Sequence, residues 1–315
     1  MSGKRAVQFR NRDGLTLVGI VHEPAPAKRS DVAVILLSPG VKNRVAPHRL
    51  YNKIAERCVA MGYWVLRFDF SGLGDSEGFI GERYLADLYR SVGLGRYVDD
   101  TWAAMDWMRQ TYPVKRFIIG GLCGGAITGV LAAPRRADVA GILALGLPVA
   151  LDGRNVDRYR TITAGQLNQL RAGYLRKLRD PRSWLRLISL RTDWRLLWRS
   201  LTAGLSRRRK RPSDVPPPDV VDNTNWLFAP AFLELLSRGC PALLLFSELD
   251  RLWWEFEEKF LAHHREALKA HNAVLEIDVI AGANHVFTLE ASQSAMLRRV
   301  EDWLQRRFSE RPAAA

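Results

Sequence analysis

The sequence predicts an α/β fold: a mostly parallel central sheet with an N-terminal hairpin, helices on both faces and an inserted helical cap. Two observations lead there. Short, continuously apolar runs rich in β-branched residues recur along the 315 residues with helix-periodic segments between them. Runs of that kind are strands covered on both faces, the situation of a parallel sheet flanked by helices. The alternation then stops over residues 148–237 and resumes beyond them. With 47% hydrophobic residues, a chain of this length can bury one sizeable core.

The first element is a hairpin. Residues 7–9 and 15–21 flank Asn11-Arg12-Asp13-Gly14, and Asp-Gly supplies the positive φ angles of a tight turn between two β-runs. After Pro24 and Pro26, Val32–Leu37 is apolar throughout and reads as a central strand. Further strands are expected at Trp64–Phe68, 117–119, 141–145, 242–246 and 274–280. Between them, residues 48–61 place Leu50, Ile54, Cys58 and Met61 on one helical stripe, and 99–110 and 293–308 are similarly periodic. The core is therefore expected to comprise 1–147 and 238–309, with 148–237 as the cap and 310–315 as a disordered tail.

The stretch richest in chemical information is Gly120-Gly121-Leu122-Cys123-Gly124-Gly125, where an apolar strand runs into a small-residue helix through Gly-x-Cys-x-Gly. This is the nucleophile-elbow pattern with cysteine in place of serine. It makes Cys123 the candidate nucleophile and requires Gly121 and Gly125 for close backbone packing. At a helix N-terminus a thiolate is favoured, and the Gly124 N–H is placed to donate to an oxyanion.

Two further segments arrive in the order nucleophile, acid, base. Asp250 follows the strand at 242–246, with Glu248 as the nearby alternative, and His285 lies in the loop after the strand at 274–280. In triad logic His285 takes the thiol proton while Asp250 orients the imidazole and stabilises its charged form.

With these residues in place the sequence resembles the α/β-hydrolase superfamily, and more closely its bacterial serine-aminopeptidase-like (lysophospholipase-like) branch. The resemblance covers residues 32–70, 117–147 and 240–308. Arg67-Phe68-Asp69-Phe70-Ser71-Gly72-Leu73-Gly74-Asp75-Ser76 is similar to that branch's Asp-x-Arg-Gly-x-Gly-x-Ser loop, which is mainly structural. Pro39-Gly40-Val41 stands where the family carries His-Gly-x, so the resemblance implies an oxyanion-hole role for the Val41 N–H. The departure is Cys123 itself, since the branch uses serine. An elbow of the form Gly-x-Cys-x-Gly-Gly resembles that of dienelactone hydrolases and polyhydroxyalkanoate synthases. The implied reaction is hydrolysis or acyl transfer at an ester or thioester bond through an acyl-cysteine, without cofactor. Peptidase activity is not implied.

Lys and Arg number 47 against 33 Asp and Glu, a formal net charge of +14, and residues 151–230 alone hold 17 basic and 7 acidic residues. That imbalance points to an anionic small-molecule or carrier-bound acyl substrate. Within the cap, Thr192 suits an N-cap, with Trp194, Leu197, Trp198, Leu201 and Leu205 on one helical face. Trp184, Trp194 and Trp198 interleave with arginines there, which makes the alternative a peripheral membrane or partner-binding protein on a hydrolase scaffold. Nucleic acid is disfavoured: the basic run at 207–211 suits a solvated linker and no nucleic-acid module accompanies it. Pro47-His48-Arg49-Leu50 reads as a helix start. Cys58, Cys123 and Cys240 lie far apart, without disulfide density or metal-ligand spacing, so no metal is expected and a cytoplasmic location is.

Overall fold

The computed structural model describes residues 3–153, 163, 165 and 223–308. Eight strands form one sheet: β1 (Gly3–Arg10), β2 (Thr16–Glu23), β3 (Val32–Leu37), β4 (Trp64–Phe68), β5 (Arg116–Leu122), β6 (Val139–Leu145), β7 (Ala242–Ser247) and β8 (Leu275–Ile280). Their spatial order is β1-β2-β4-β3-β5-β6-β7-β8. β1 and β2 form the expected antiparallel hairpin, closed by Arg10 opposite Thr16, and β2 joins β4 antiparallel. Every pairing from β4 through β8 is parallel.

The described helices are α1 (Leu50–Ala60), α2 (Leu85–Gly93), α3 (Val98–Thr111), α4 (Gly124–Ala132), α5 (Phe228–Ser237), α6 (Arg251–Phe256), α7 (Ala262–Lys269) and α8 (Glu290–Phe308). A π-helical turn, Glu257–Leu261, joins α6 to α7. The expected helix over 48–61 begins at Leu50, because His48 and Arg49 sit in the left-handed region at φ 55° and 57° within a 3-10 turn. Helix α2 was not anticipated from the sequence.

Alternation along each strand sends its residues to two cores. Val32, Val34 and Leu36 of β3 pack with Leu50 and Ile54 of α1 and with Met296 and Trp303 of α8. Ala33, Ile35 and Leu37 face the other side, with Met105 of α3, Ile127 and Val130 of α4 and Phe232 of α5. Each such fully buried side chain contributes about 1.5–3 kcal/mol, which is why the strands read as unbroken apolar runs.

By its contacts the chain divides into two compact units, Met1–Gly153 with Thr224–Ala315, and Arg154–Asn223. Most of the expected cap, including Thr192 and its tryptophans, lies outside the described residues, as does the tail at 310–315. Phe228–Ser237, which the sequence reading placed in the cap, is a helix of the same unit as the sheet.

The order of the sheet decides where a site forms. β3 and β5 are neighbours, and the connections that leave them run in opposite directions, to β4 on one side and to β6 on the other. In open α/β sheets the crevice at such a switch point, beyond the carboxyl ends of the strands, is where ligands bind.

Candidate active site

Cys123 occupies that crevice, between the end of β5 and the start of α4. Its backbone stands at φ 53° and ψ −110°, outside the comfortable range of an L-residue. Three contacts hold it there. The Cys123 N–H donates to the Leu145 carbonyl at 2.8 Å, and the Cys123 carbonyl accepts from Ala126 and Ile127 at 2.9 and 3.2 Å. Closeness to β3 explains the glycines around it. A Cβ at Gly121 would overlap the Tyr51 hydroxyl and lie 2.5 Å from the Leu37 carbonyl oxygen, and one at Gly125 would overlap that same oxygen.

Leu37 leads into the loop Ser38-Pro39-Gly40-Val41, which packs directly on the elbow: a Cβ at Gly124 would lie 2.6 Å from the Gly40 Cα. The Gly124 N–H, first of its helix, finds no acceptor among the described residues. The Val41 N–H differs, since it donates to the Pro39 carbonyl at 2.8 Å, and Gly40 likewise donates to Ser38 at 2.7 Å.

Asp250 caps α6. One carboxylate oxygen accepts from the Leu252 N–H at 3.3 Å, and the other lies 2.6 Å from Nδ1 of His285. Its side chain is buried while that of His285 remains 38% exposed. Glu248, the other acid considered from the sequence, accepts from the Gly282 N–H at 2.7 Å and so pins the His285 loop rather than the imidazole. Beyond His285 the loop is tied again: Phe287 is left-handed at φ 52°, and its carbonyl accepts from the Gln293 amide at 2.7 Å.

The Cys123 side chain lines the same cavity as the imidazole and acts on its proton affinity. Burial lowers that affinity, but the bond and charge of Asp250, together with Cys123, raise it by more, leaving a pKa of about 10. With that pKa the imidazole carries its proton at neutral pH, an imidazolium facing the sulfur, and Asp250 holds it with Nδ1 turned away and Nε2 left for Cys123. Cys123, Asp250 and His285 are thus brought together, with Gly121 and Gly125 beneath and Gly124 beside them.

Several residues of the site carried no sequence signal. Tyr51, fully buried in α1, donates to the Leu37 carbonyl at 2.6 Å and accepts from the Leu122 N–H at 2.7 Å. Cys123, Asp250 and His285 open into a cavity of about 330 Å³. Tyr89, Val92, Ile127, Pro148, Ala150 and Leu252 supply much of its wall. Its remaining charged groups, Asp152 and Arg251, pair with each other at 2.7 Å, and Arg251 also reaches Glu255 at 3.5 Å. Among the described residues of this wall, then, the one arginine is paired.

A sequence model described as the alpha/beta hydrolase family matches residues 35–299, a span that takes in β3, the elbow, Asp250 and His285. The chain belongs to the alpha/beta hydrolase family. Among solved structures this hydrolase resembles the esterase Pf2001 of Pyrococcus furiosus, with a TM-score of 0.58 and 18% identity over 98% of this chain and 94% of that one. Hypothetical protein PA2218 of Pseudomonas aeruginosa follows at 0.56 and 18%, covering 97% and 94%, and the alpha/beta hydrolase GrgF of Penicillium sp. sh18 at 0.54 and 18%, covering 97% and 99%. A protein of Rickettsia prowazekii (strain Madrid E) described as uncharacterized is 33% identical over 113 residues, or 33% of this hydrolase and 43% of that relative's length. No described helix is long and apolar enough to cross a membrane.

Proposed function

We propose that this hydrolase cleaves or transfers acyl groups held in ester or thioester linkage, through an acyl intermediate on Cys123. The observation that carries the reading is the convergence of Asp250, His285 and Cys123 on one cavity, with 2.6 Å between Asp250 Oδ2 and His285 Nδ1. His285 Nε2 holds the proton that the thiol has given up before the sulfur adds to the acyl carbonyl, and Asp250 stabilises the imidazolium. Collapse of the adduct breaks the bond to the leaving alkoxide or thiolate, which takes the proton from His285. Water or a second nucleophile then releases the acyl group by the reverse sequence.

Cysteine shapes the outcome, because a thiolate is a better leaving group than an alkoxide. The acyl-cysteine is itself a thioester, so transfer to an acceptor competes with hydrolysis. In this reading the protein is a cysteine variant of the serine-aminopeptidase-like branch, with residues 154–223 as its cap. The basic residues of that cap serve an anionic carrier or a lipid headgroup. Three free cysteines suit a cytoplasmic setting.

Intact-mass spectrometry of wild type and Cys123→Ala after exposure to p-nitrophenyl butanoate and to butanoyl-coenzyme A tests the proposal. One acyl group is expected on the wild type alone. An acyl group on both proteins, or on neither, would overturn it.

A further inference from the structure

The cavity also holds a hydroxyl to which the reaction above gives no task. Tyr89 lies in α2 and lines the cavity together with Cys123, Gly124 and His285. Its helix is lodged against the elbow. Val92, one turn further on, fills the space beside both Gly124 and Gly40, where a Cβ would meet its Cγ1 at 3.0 and 3.3 Å respectively. Residues three apart share a helix face, so Tyr89 stands over the same junction.

The Tyr89 hydroxyl makes no hydrogen bond with any described residue, although it is only partly exposed. A phenol sunk into a cavity wall ordinarily finds a partner, and here the cavity is what remains to offer one. Burial, then the charges of Cys123 and Asp152, raises its pKa above the ordinary value, so the hydroxyl keeps its proton as a neutral donor.

The second observation is the state of the backbone donors. An oxyanion forming on the acyl group is ordinarily held by more than one donor. Of the two expected from the sequence, the Gly124 N–H is available, but the Val41 N–H is engaged by the Pro39 carbonyl at 2.8 Å.

We infer that the Tyr89 hydroxyl is a catalytic hydrogen-bond donor, holding the acyl oxygen together with the Gly124 N–H while the Cys123 sulfur adds to the carbonyl carbon. The inference rests on the acyl-Cys123 reading. As the S–C bond forms, the π pair of the carbonyl moves onto oxygen, where Tyr89 and Gly124 donate to it without giving up their protons. His285 already holds the thiol proton. When the C=O bond re-forms and the leaving group departs with that proton, both donors relax to the weaker neutral acceptor.

Tyr89→Phe is the test, read by the pre-steady-state release of p-nitrophenolate from p-nitrophenyl butanoate. Since the hydroxyl bonds to no described residue, its removal is expected to leave the melting temperature unchanged. Acylation is expected to slow by about 100-fold with KM nearly unchanged, the usual effect of losing one oxyanion donor. Alkylation of Cys123 by iodoacetamide, which develops no oxyanion, is expected to keep its wild-type rate. Tyr89→Phe acylating within about threefold of wild type would overturn the inference while leaving the acyl-Cys123 reading intact. Equal losses of acylation and alkylation would also overturn it, making Tyr89 a positioning residue for the sulfur. A wild type that forms no acyl adduct would end both.

Discussion

Tyr51 and Leu37 join the two halves of the site: the phenol of α1 donates to the last carbonyl of β3 at 2.6 Å, while its oxygen receives the Leu122 N–H from the end of β5. One buried hydroxyl thus sets the spacing between the loop that follows β3 and the turn that holds Cys123. Burial, as the largest influence, pushes its pKa above the tyrosine range, so it stays protonated and both bonds persist.

Tyr51→Phe would remove both bonds and leave a backbone N–H and a carbonyl without this partner in the core. Burying such groups unsatisfied costs about 1–3 kcal/mol each, so urea unfolding is expected to show a loss of about that size. The elbow would also lose its tether, and acylation of Cys123 should slow more than substrate binding weakens. Unchanged stability would mean that neither bond contributes.

Gly125→Ala tests the elbow from the other side. The added Cβ would meet the Leu37 carbonyl, and it would lie 3.0 Å from both the Leu37 carbonyl carbon and the Ser38 oxygen. These are main-chain atoms of a central strand and cannot swing aside as a side chain does. Overpacking of this kind costs about 1–3 kcal/mol. The variant is expected to unfold at lower urea concentration and to lose acylation, and one that matches wild type in both would refute the close approach.

What the sequence revealed and what it hid divide along chain distance. The strands Val32–Leu37 and Trp64–Phe68 were legible to the residue, because burial on both faces leaves an unbroken apolar run. Cys123, Asp250 and His285 were legible as three local patterns in a fixed order. The Tyr51 bond to Leu122 spans 71 positions, and its tyrosine stands beside the stripe of Leu50, Ile54, Cys58 and Met61 rather than in it, so nothing local marks it. Helix α2 escaped because it is only nine residues long, lacks a side-chain N-cap and is followed closely by Gly95. The engagement of the Val41 N–H by Pro39 is a matter of backbone dihedrals around Gly40, at φ +72°, which a motif match does not encode. The anionic-substrate expectation came from total charge, much of it in residues 151–230, most of which lie outside the described residues.

The ion pair on the cavity wall makes a selectivity prediction. Asp152 neutralises Arg251 at 2.7 Å, and Asp152→Asn would leave Arg251 with Glu255 alone at 3.5 Å. The wall would become more positive. Relative kcat/KM for a succinyl over a butanoyl p-nitrophenyl ester is expected to rise by about fivefold, a modest change because the arginine is half-exposed and solvent screens it. No change in the ratio would show that the acyl group does not pass near this pair.

The last prediction concerns pH. In the folded protein the His285 pKa stands near about 10 against an ordinary 6.5, held up by Asp250 and Cys123 against the opposing effect of burial. The folded state therefore binds more protons than the unfolded chain between those two values. This stabilisation is fully present below the unfolded pKa and is lost as pH rises through the folded one. Asp250→Asn keeps an oxygen for the Leu252 N–H yet removes the charge and the strong acceptor that face Nδ1. Its unfolding free energy should fall less steeply than that of wild type across about pH 6.5 to 10, because the other titrating groups are shared and cancel in the comparison. Cys123→Ala, lacking the second partner, should flatten the same window without touching the Asp250 contact. Urea unfolding of the three proteins at several pH values measures the slopes, and parallel curves would mean that the imidazole does not hold its proton in the manner the geometry requires.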